Sequence, residues 1–294
     1  MLPRVEKVLV IGLGLIGGSL ARSLKLSGFA GHVSGYGYRD VSLKKGLELG
    51  VIDSYSLDLD EALVGADIVV IGTPTLTANE ILRQILPRVG PATVITDVAS
   101  VKGSLSKTAR DVCQGKLPPK LVLGHPIAGS ERSGVDASRE DLFIDHRVIL
   151  TPEPETDPAA LGMIRDMWLS TGAEVVELGV EEHDAILAAT SHLPHVLAYA
   201  LVDALAGNTR SEDIFRFAAG GFRDFTRIAS SDPDMWRDIA LANRDELLKA
   251  IDGFSDKLAE LRSAVAAGDG DAMHETFSAA KAARDAFTNR RGNS

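Results

Sequence analysis

This sequence is short of several things, and each shortage excludes something. It has one cysteine in 294 residues, Cys113, so no internal disulfide can form. A single thiol fits residence in the cytoplasm. Basic residues are in the minority, 31 Lys and Arg against 41 Asp and Glu, and the formal net charge is −10. That balance argues against a general nucleic-acid binder, which relies on basic surface. No apolar run is read as approaching the roughly 20 residues that span a bilayer, so no membrane segment is expected. The opening "MLPRVEKVLVIG" enters a strand almost at once, so no signal peptide is expected before the fold. Low-complexity segments and internal repeats are absent as well. What remains is ordinary globular composition, 45% hydrophobic and 24% charged, long enough for one large or two medium domains.

The chain changes grammar near its middle. From Val5 to about Val176, short apolar runs alternate with helical stretches. The runs are "KVLVIG", "HVSGYG", "DIVVIGTP", "TVITDVA", "KLVLGH", "RVILTP" and "AEVVEL". They are rich in Val and Ile and barely alternate, as strands buried on both faces do. Repeated strand–helix units imply right-handed crossovers and a doubly wound, mostly parallel α/β sheet of Rossmann type. After about Gly179 no strand-like run appears. "EEHDAILAATSHLPHVLAYALVDAL" is helical in spacing, and Pro194 should kink or break it. "DMWRDIALANRDELLKAIDGFSDKLAELRSAVAAG" reads as one long amphipathic helix and "DAMHETFSAAKAARDAF" as another. We therefore expect domains at 1–178 and 179–294, the second all-helical. Its apolar faces favour a homodimer formed through these helices, with a compact monomeric bundle as the alternative.

"VLVIGLGLIGGSLARSL" holds Gly12-Leu13-Gly14-Leu15-Ile16-Gly17 between an expected strand and an expected helix, the context a dinucleotide fingerprint requires. Gly12 allows the tight turn, Gly14 lets backbone approach a pyrophosphate, and Gly17 lets helix and strand pack. The helix start, at Leu15 and Ile16, offers free N–H groups to phosphate. The next strand ends "SGYGYRD". A carboxylate about 20 residues past the last glycine would bond the ribose 2′-hydroxyl of NAD. Gly37 stands there instead, followed by Tyr38 and Arg39. An arginine fork suits a 2′-phosphate, and Tyr38 is placed to stack near the adenine. This favours NADP over NAD. The alternative is that Asp40 or a more distant carboxylate serves NAD and Arg39 faces solvent.

Ligands in such sheets sit beyond the carboxyl ends of the strands. Three further loops meet that condition. Thr73 and Pro74 in "IGTPTLT" are placed to flank the cofactor. Ser100 in "TDVASVKG" lies at the mouth of the site or caps a helix, and Lys102 is a candidate phosphate or substrate contact. His125, in "GHPIAGSERSG", is either a proton handler at the meeting point of cofactor and substrate or a structural histidine. The pair His192 and His195 in "HLPH" has spacing reminiscent of metal ligands. Pro194 disturbs the helix and no acidic or cysteine partners complete a site, so no metal is expected. Trp168 is expected in the core.

In combination and order, "VIGLGLIGGSLA", "TDVASVKG", "GHPIAGSERSG", "EEHDAILAATSHLPHVLAYALV" and "AAGGFRDFTRIASSDPDMWRDI" resemble the prephenate/arogenate (cyclohexadienyl) dehydrogenase family of tyrosine biosynthesis. The resemblance spans almost the whole chain. It implies a Rossmann domain, a helical dimerisation domain and oxidative decarboxylation of a cyclohexadienol, with no room for a fused chorismate mutase and no evident regulatory domain. It also assigns roles. His125 corresponds to the catalytic histidine. Ser100 corresponds to the serine bonded to that histidine and to the substrate hydroxyl. Arg227 corresponds to the arginine that holds a substrate carboxylate. Asp224 and Glu131 correspond to acidic residues near the pocket entrance, and Ser130 to a substrate contact. His183, His195 and Trp236 correspond to further pocket or supporting positions. Two other readings remain at this stage. One is a β-hydroxyacid dehydrogenase, which would want a catalytic lysine in the helical domain, where none stands out. The other is a non-catalytic NADP(H)-responsive binding protein, which would not need His125, Ser100 and Arg227 together.

Overall fold

The structure, a computed structural model, describes residues 5–129 and 132–291. Eight strands form one sheet: β1 (Val5–Ile11), β2 (Ala30–Tyr36), β3 (Ser54–Ser56), β4 (Ile68–Ile71), β5 (Val94–Asp97), β6 (Leu121–Pro126), β7 (Arg147–Thr151) and β8 (Glu174–Glu177). Their order is β3-β2-β1-β4-β5-β6-β7-β8. Every neighbouring pair is parallel except β6 and β7. The reason is in the side chains. On β1, Val8 and Val10 enter one hydrophobic cluster while Leu9 and Ile11 enter the other. On β4, Ile68 and Val70 divide from Val69 and Ile71 in the same way. A strand that is apolar on both faces needs helices on both faces, and a parallel sheet with crossover helices provides them.

The crossovers are α1 (Leu15–Leu26), α2 (Asp40–Glu48), α3 (Leu59–Leu63), α4 (Thr75–Ile85), α5 (Gly103–Val112) and α6 (Pro158–Leu169). Trp168, on α6, is fully buried against the edge of Phe143 at 5.2 Å between ring centres. The strand β3, "SYS", was not expected from the sequence. It is short, half-buried and paired on one side only, so it needs no apolar run.

Beyond β8 the described chain is helical: α7 (Val180–Leu187), α8 (Leu193–Ala206), α9 (Ser211–Arg216), α10 (Gly220–Thr226), α11 (Pro233–Ala242), α12 (Arg244–Ala267) and α13 (Gly270–Arg291). By compactness of packing the chain divides after Arg244. The reason is that α7 packs on α5 and β7, and α11 packs on α4. The unit from Asp245 onward consists of α12 and α13, with a turn at Gly268, whose φ is +66°.

Three sequence expectations need correction here. Pro194 does not break its helix. A π-helical turn, Ala188–His192, precedes it and lets the helix run continuously from Val180 to Ala206. That same helix is long and apolar enough to span a membrane by length and composition, although only 22% of its apolar window is buried. The expectation that no such stretch exists fails because interspersed small residues hide its mean hydropathy. Third, the long helix expected from Asp234 is two helices. Asn243 closes α11 with φ −108° and ψ 33°, and its side chain turns inward to bond residues of the site.

Candidate active site

The carboxyl ends of β1, β4, β5 and β6 lie along one edge of the sheet, because these strands are mutually parallel. Between β1 and β4 the chain leaves the sheet in opposite directions, which is where such folds bind nucleotides. The glycine loop is there. Gly12 has φ +95°, and a Cβ on it would come within 2.8 Å of the Thr73 methyl. A Cβ on Gly17 would come within 2.3 Å of the Gly12 carbonyl oxygen. A Cβ on Gly14 would meet nothing within 4 Å, so an open cradle faces the start of α1. No side chain caps that helix, and its first turn carries no acidic residue. The side chains of Leu15 and Ile16 pack in the core, leaving their amides at the helix start, where no intrahelical carbonyl is available. The Thr73 hydroxyl is buried beside Pro74 and the start of α4, without a partner among the described residues. These features fit a dinucleotide: amides for a pyrophosphate, room for it, and an unpaired hydroxyl next to it.

At the end of β2, Tyr38 and Arg39 are exposed. The Tyr38 ring sits edge-on to Tyr36 at 6.0 Å, and Gln84 donates to its hydroxyl at 3.3 Å. The Asp40 carboxylate is engaged by β3 and α2: it accepts from the Tyr55 hydroxyl at 2.8 Å and pairs with Lys44 at 2.6 Å. The Lys44 bond holds its carboxyl below the usual range.

The second part of the site is a buried cluster under the ends of β5 and β6. Asp97 ends β5 with no exposure, and Lys102 is equally buried. Lys102 was expected to face ligand. It faces inward instead, with its ammonium bonded to Asp97 and, at 2.5 Å, to the Gly124 carbonyl. Burial pulls its pKa down, and the Asp97 carboxylate opposes this. Asp97 also accepts from the Gly124 amide at 3.1 Å and the Ala99 amide at 2.8 Å. An ion pair in a dry interior is tolerated when the remaining lone pairs are satisfied, as here. Its effect is local: both backbone groups of Gly124 are held, and the next residue is His125.

His125 leaves 9% of its surface exposed. Its Nδ1 lies 2.9 Å from His183 Nε2, and His183 Nδ1 lies 2.7 Å from Asp184 Oδ1. Asp184 also accepts from the Lys102 amide at 2.9 Å and the Gly103 amide at 2.8 Å, so a carboxylate from α7 caps α5. Only a glycine permits that approach, since a Cβ on residue 103 would sit 2.8 Å from the carboxylate. The proton positions follow. An ionised Asp184 only accepts, so His183 donates from Nδ1. Neutral His183 then accepts at Nε2, His125 donates from Nδ1, and His125 Nε2 carries a lone pair. No partner for that nitrogen occurs among the described residues. Burial, followed by the neighbouring His183, Lys102 and His192, holds His125 well below the ordinary histidine range. It is a neutral acceptor at neutral pH.

Two expectations change accordingly. His183 was expected at a pocket or supporting position, grouped with the substrate contacts, and the supporting role is the one found. It has no exposure and both ring nitrogens are engaged, so it supports His125 from behind. Ser100 was expected to bond the histidine or cap α5. It does neither: His125 Nδ1 goes to His183, and the cap is Asp184. Ser100 stays half-buried at the end of β5, with its hydroxyl unengaged among the described residues.

A third group gathers on the helices. His195 donates from Nδ1 to the Ser191 carbonyl at 2.9 Å and stacks on Trp236, with ring centres 3.4 Å apart and planes 19° from parallel. Burial, opposed by the Ser191 bond, lowers its pKa, and the nearby Arg227 charge adds to the lowering. Arg227 opens a 3₁₀ turn after α10 and is exposed, as is Asp224. The Trp236 Nε1–H is buried without a partner among the described residues. His192 is 2% exposed, accepts at Nδ1 from Asn243 at 3.1 Å, and is held neutral by burial with a pKa of about 4. Among the described residues no three His, Cys, Asp or Glu gather as metal ligands. Ser130 and Glu131 lie outside the described residues.

Sequence reasoning missed Asp97, Asp184 and Asn243, and it weighed His192 only as a metal ligand. Asp97 left a trace, as a carboxylate ending an otherwise apolar strand. Asp184 left one as a charge beside a histidine on an apolar helix face.

Comparison with known proteins places the chain. A family model described as "Prephenate dehydrogenase, nucleotide-binding domain" matches residues 20–177, and "Prephenate dehydrogenase, dimerization domain" matches 179–279. The cyclohexadienyl dehydrogenase of Zymomonas mobilis is 38% identical over 282 residues, covering 95% of either chain. The Aquifex aeolicus prephenate dehydrogenase, solved with hydroxyphenyl propionate and NAD+, is 37% identical with a TM-score of 0.89, covering 96% of this chain and 98% of that one. The Synechocystis arogenate dehydrogenase structure is 29% identical with a TM-score of 0.81, covering 96% and 99%. With both family models in register along the chain and relatives matched end to end, the protein belongs to the prephenate dehydrogenase family.

Proposed function

We propose that the protein oxidatively decarboxylates prephenate, arogenate or both, passing hydride to a nicotinamide dinucleotide, as an enzyme of tyrosine biosynthesis. One observation carries the mechanism. His125 stands at the sheet edge that also holds the glycine loop, with Nδ1 committed and Nε2 open.

Both substrates carry a ring carbon bearing H and OH, opposite a carbon bearing carboxylate. The bound dinucleotide supplies the hydride acceptor. His125 Nε2 accepts the hydroxyl proton, which raises electron density at the carbinol carbon as its hydride departs. The bond to the carboxylate carbon then breaks, its electron pair completes the aromatic ring, carbon dioxide leaves, and the ring oxygen takes a proton back. Ser100, one turn from the same edge, is proposed to orient the hydroxyl. Arg227 is proposed to grip a carboxylate through a charge-assisted bond, beside His195 and Trp236. The same carboxylate would explain the unpaired Trp236 Nε1–H. Family membership argues against the β-hydroxyacid dehydrogenase and the non-catalytic readings.

NADP is proposed to be preferred over NAD. Support comes from Gly37, which puts no carboxylate at the end of β2, from exposed Arg39, and from Asp40, whose oxygens are already engaged. The Aquifex relative was solved with NAD+, so this preference would be a departure within the family. A homodimer is proposed through the helical part, which matches the family's dimerization domain. Support comes from apolar side chains left exposed on one chain: Leu241, Leu258, Val265 and Phe277 are each more than half exposed, and α8 is apolar yet only partly covered.

The test is to supply purified protein with prephenate or arogenate and either dinucleotide. Reduced nicotinamide should appear with 4-hydroxyphenylpyruvate or tyrosine as the product. Absence of both products with either cofactor would refute the assignment.

A further inference from the structure

Resting on the dehydrogenase reading above, we propose that the hydroxyl proton does not stop on His125: it passes on to His183, with Asp184 as the counter-ion, and returns by the same path. The geometry assigns three successive roles. The substrate hydroxyl gives its proton to His125 Nε2. His125 gives its Nδ1 proton across 2.9 Å to His183 Nε2. His183 is then an imidazolium that holds Asp184 Oδ1 through Nδ1 at 2.7 Å. His125 is neutral again, with its tautomer reversed. When carbon dioxide leaves, the ring oxygen recovers a proton from His125 Nε2, and His183 restores the proton to His125 Nδ1. No proton is gained or lost over the cycle, which suits a relay with no exit. His183 has no exposed surface and no third ring nitrogen to pass a proton onward.

The charges around the pair favour this resting place. The ionisable groups facing His125 are Lys102 and Asp97 from the end of β5, His183 and Asp184 from α7, and His192 from the π turn. Lys102 and Asp97 are bonded to each other, which leaves Asp184 as the uncompensated negative charge. One proton on the histidine pair balances it. Placed on His183 the proton is in contact with that carboxylate. Placed on His125 it is separated from that carboxylate by the His183 ring. Asp184 is itself held ionised: against burial, the His183 bond and two backbone amides keep its carboxyl below the usual range. A base whose proton is stored in a closed interior is also shielded from exchange with water during decarboxylation.

His183 acts through His125 and touches no substrate, so the test needs readouts that a prop would not move. The first uses the unaltered enzyme: single-turnover rates of nicotinamide reduction in mixtures of H2O and D2O. Two protons in flight predict a curved dependence on deuterium fraction, and one proton predicts a straight line. The second uses His183→Gln and Asp184→Asn. Single-turnover rates should fall about tenfold or more, with dinucleotide affinity held within about threefold. The acid limb of the kcat/KM profile should move to lower pH in both, because the proton loses its place on His183 in one variant and its counter-ion in the other. The curve should become a line in His183→Gln. A straight line in the unaltered enzyme, or an unmoved acid limb in folded variants, would show that the proton stops on His125 and overturn the proposal. Absence of turnover in the unaltered enzyme with either substrate would instead overturn the dehydrogenase reading.

Discussion

The glycine loop and the histidine cluster occupy the same edge of one sheet but are built from opposite materials. The loop works with backbone: an open space at Gly14, uncapped amides at the start of α1, and a close contact at Gly17. All of it lies within six consecutive positions. The cluster works with side chains from five segments, at Asp97, Lys102, His125, His183–His192 and Asn243. It is dry, and most of its polar atoms are engaged. The difference teaches what each can tolerate. A backbone cradle is held by local sterics and survives many side-chain changes. A buried polar network depends on each of its members, because one missing partner leaves another group desolvated and unpaired.

The comparison predicts that changes in the cluster act on turnover or folding, while changes around the loop and substrate rim act on binding. His125→Asn should lower kcat by roughly 10²–10⁴-fold, the usual worth of a general base, with dinucleotide affinity unchanged by fluorescence titration. Turnover within a few-fold of the parent would break the distinction.

The next effect is on stability. His192 is neutral in the folded protein with a pKa of about 4, against 6.5 when exposed. The folded pKa is depressed, so the unfolded chain binds the extra proton. Stability therefore falls as pH drops from 6.5 toward 4, by at most about 3 kcal/mol from this group. Denaturant unfolding of His192→Asn should show a shallower acid loss than the parent. An equal loss would assign the acid sensitivity elsewhere.

Arg227→Ala should raise the substrate KM about 10- to 100-fold with a smaller effect on kcat, since a charge-assisted bond is worth about 1.5–3 kcal/mol and is present before reaction. Unchanged KM for both substrates would show that another group holds the carboxylate. The smallest effect is expected at the loop's outer rim. Changing Gly37→Asp with Arg39→Ser should shift the NADP-to-NAD ratio of kcat/KM toward NAD by about tenfold or more. Room exists for the new side chain, because a Cβ at residue 37 meets only Leu43, at 3.9 Å. A parent that already prefers NAD, or a ratio that does not move, would remove the phosphate-site reading.

The same contrast explains what the sequence disclosed. The parallel sheet was legible because strands apolar on both faces do not alternate, and the loop was legible because its spacing is its geometry. His125 was legible from its place at a strand end. Its partners were not, because α7 lies nearly 60 residues further on and nothing local says that His183 turns toward β6. Lys102 was misread for a related reason: a lysine in a loop is assigned to solvent unless a buried carboxylate such as Asp97 is known to await it. The split at Asn243 was invisible because the apolar spacing continues across it, and the break follows from a side chain recruited into the cluster.

Hydride loss and carbon dioxide loss are, on the proposed mechanism, two parts of one event at His125. The most direct test is the ratio of carbon dioxide released to dinucleotide reduced when the purified protein consumes prephenate or arogenate. The account predicts one carbon dioxide for each dinucleotide, with both falling together in His125→Asn. Reduction without release of carbon dioxide, or release that survives the loss of His125, would contradict it.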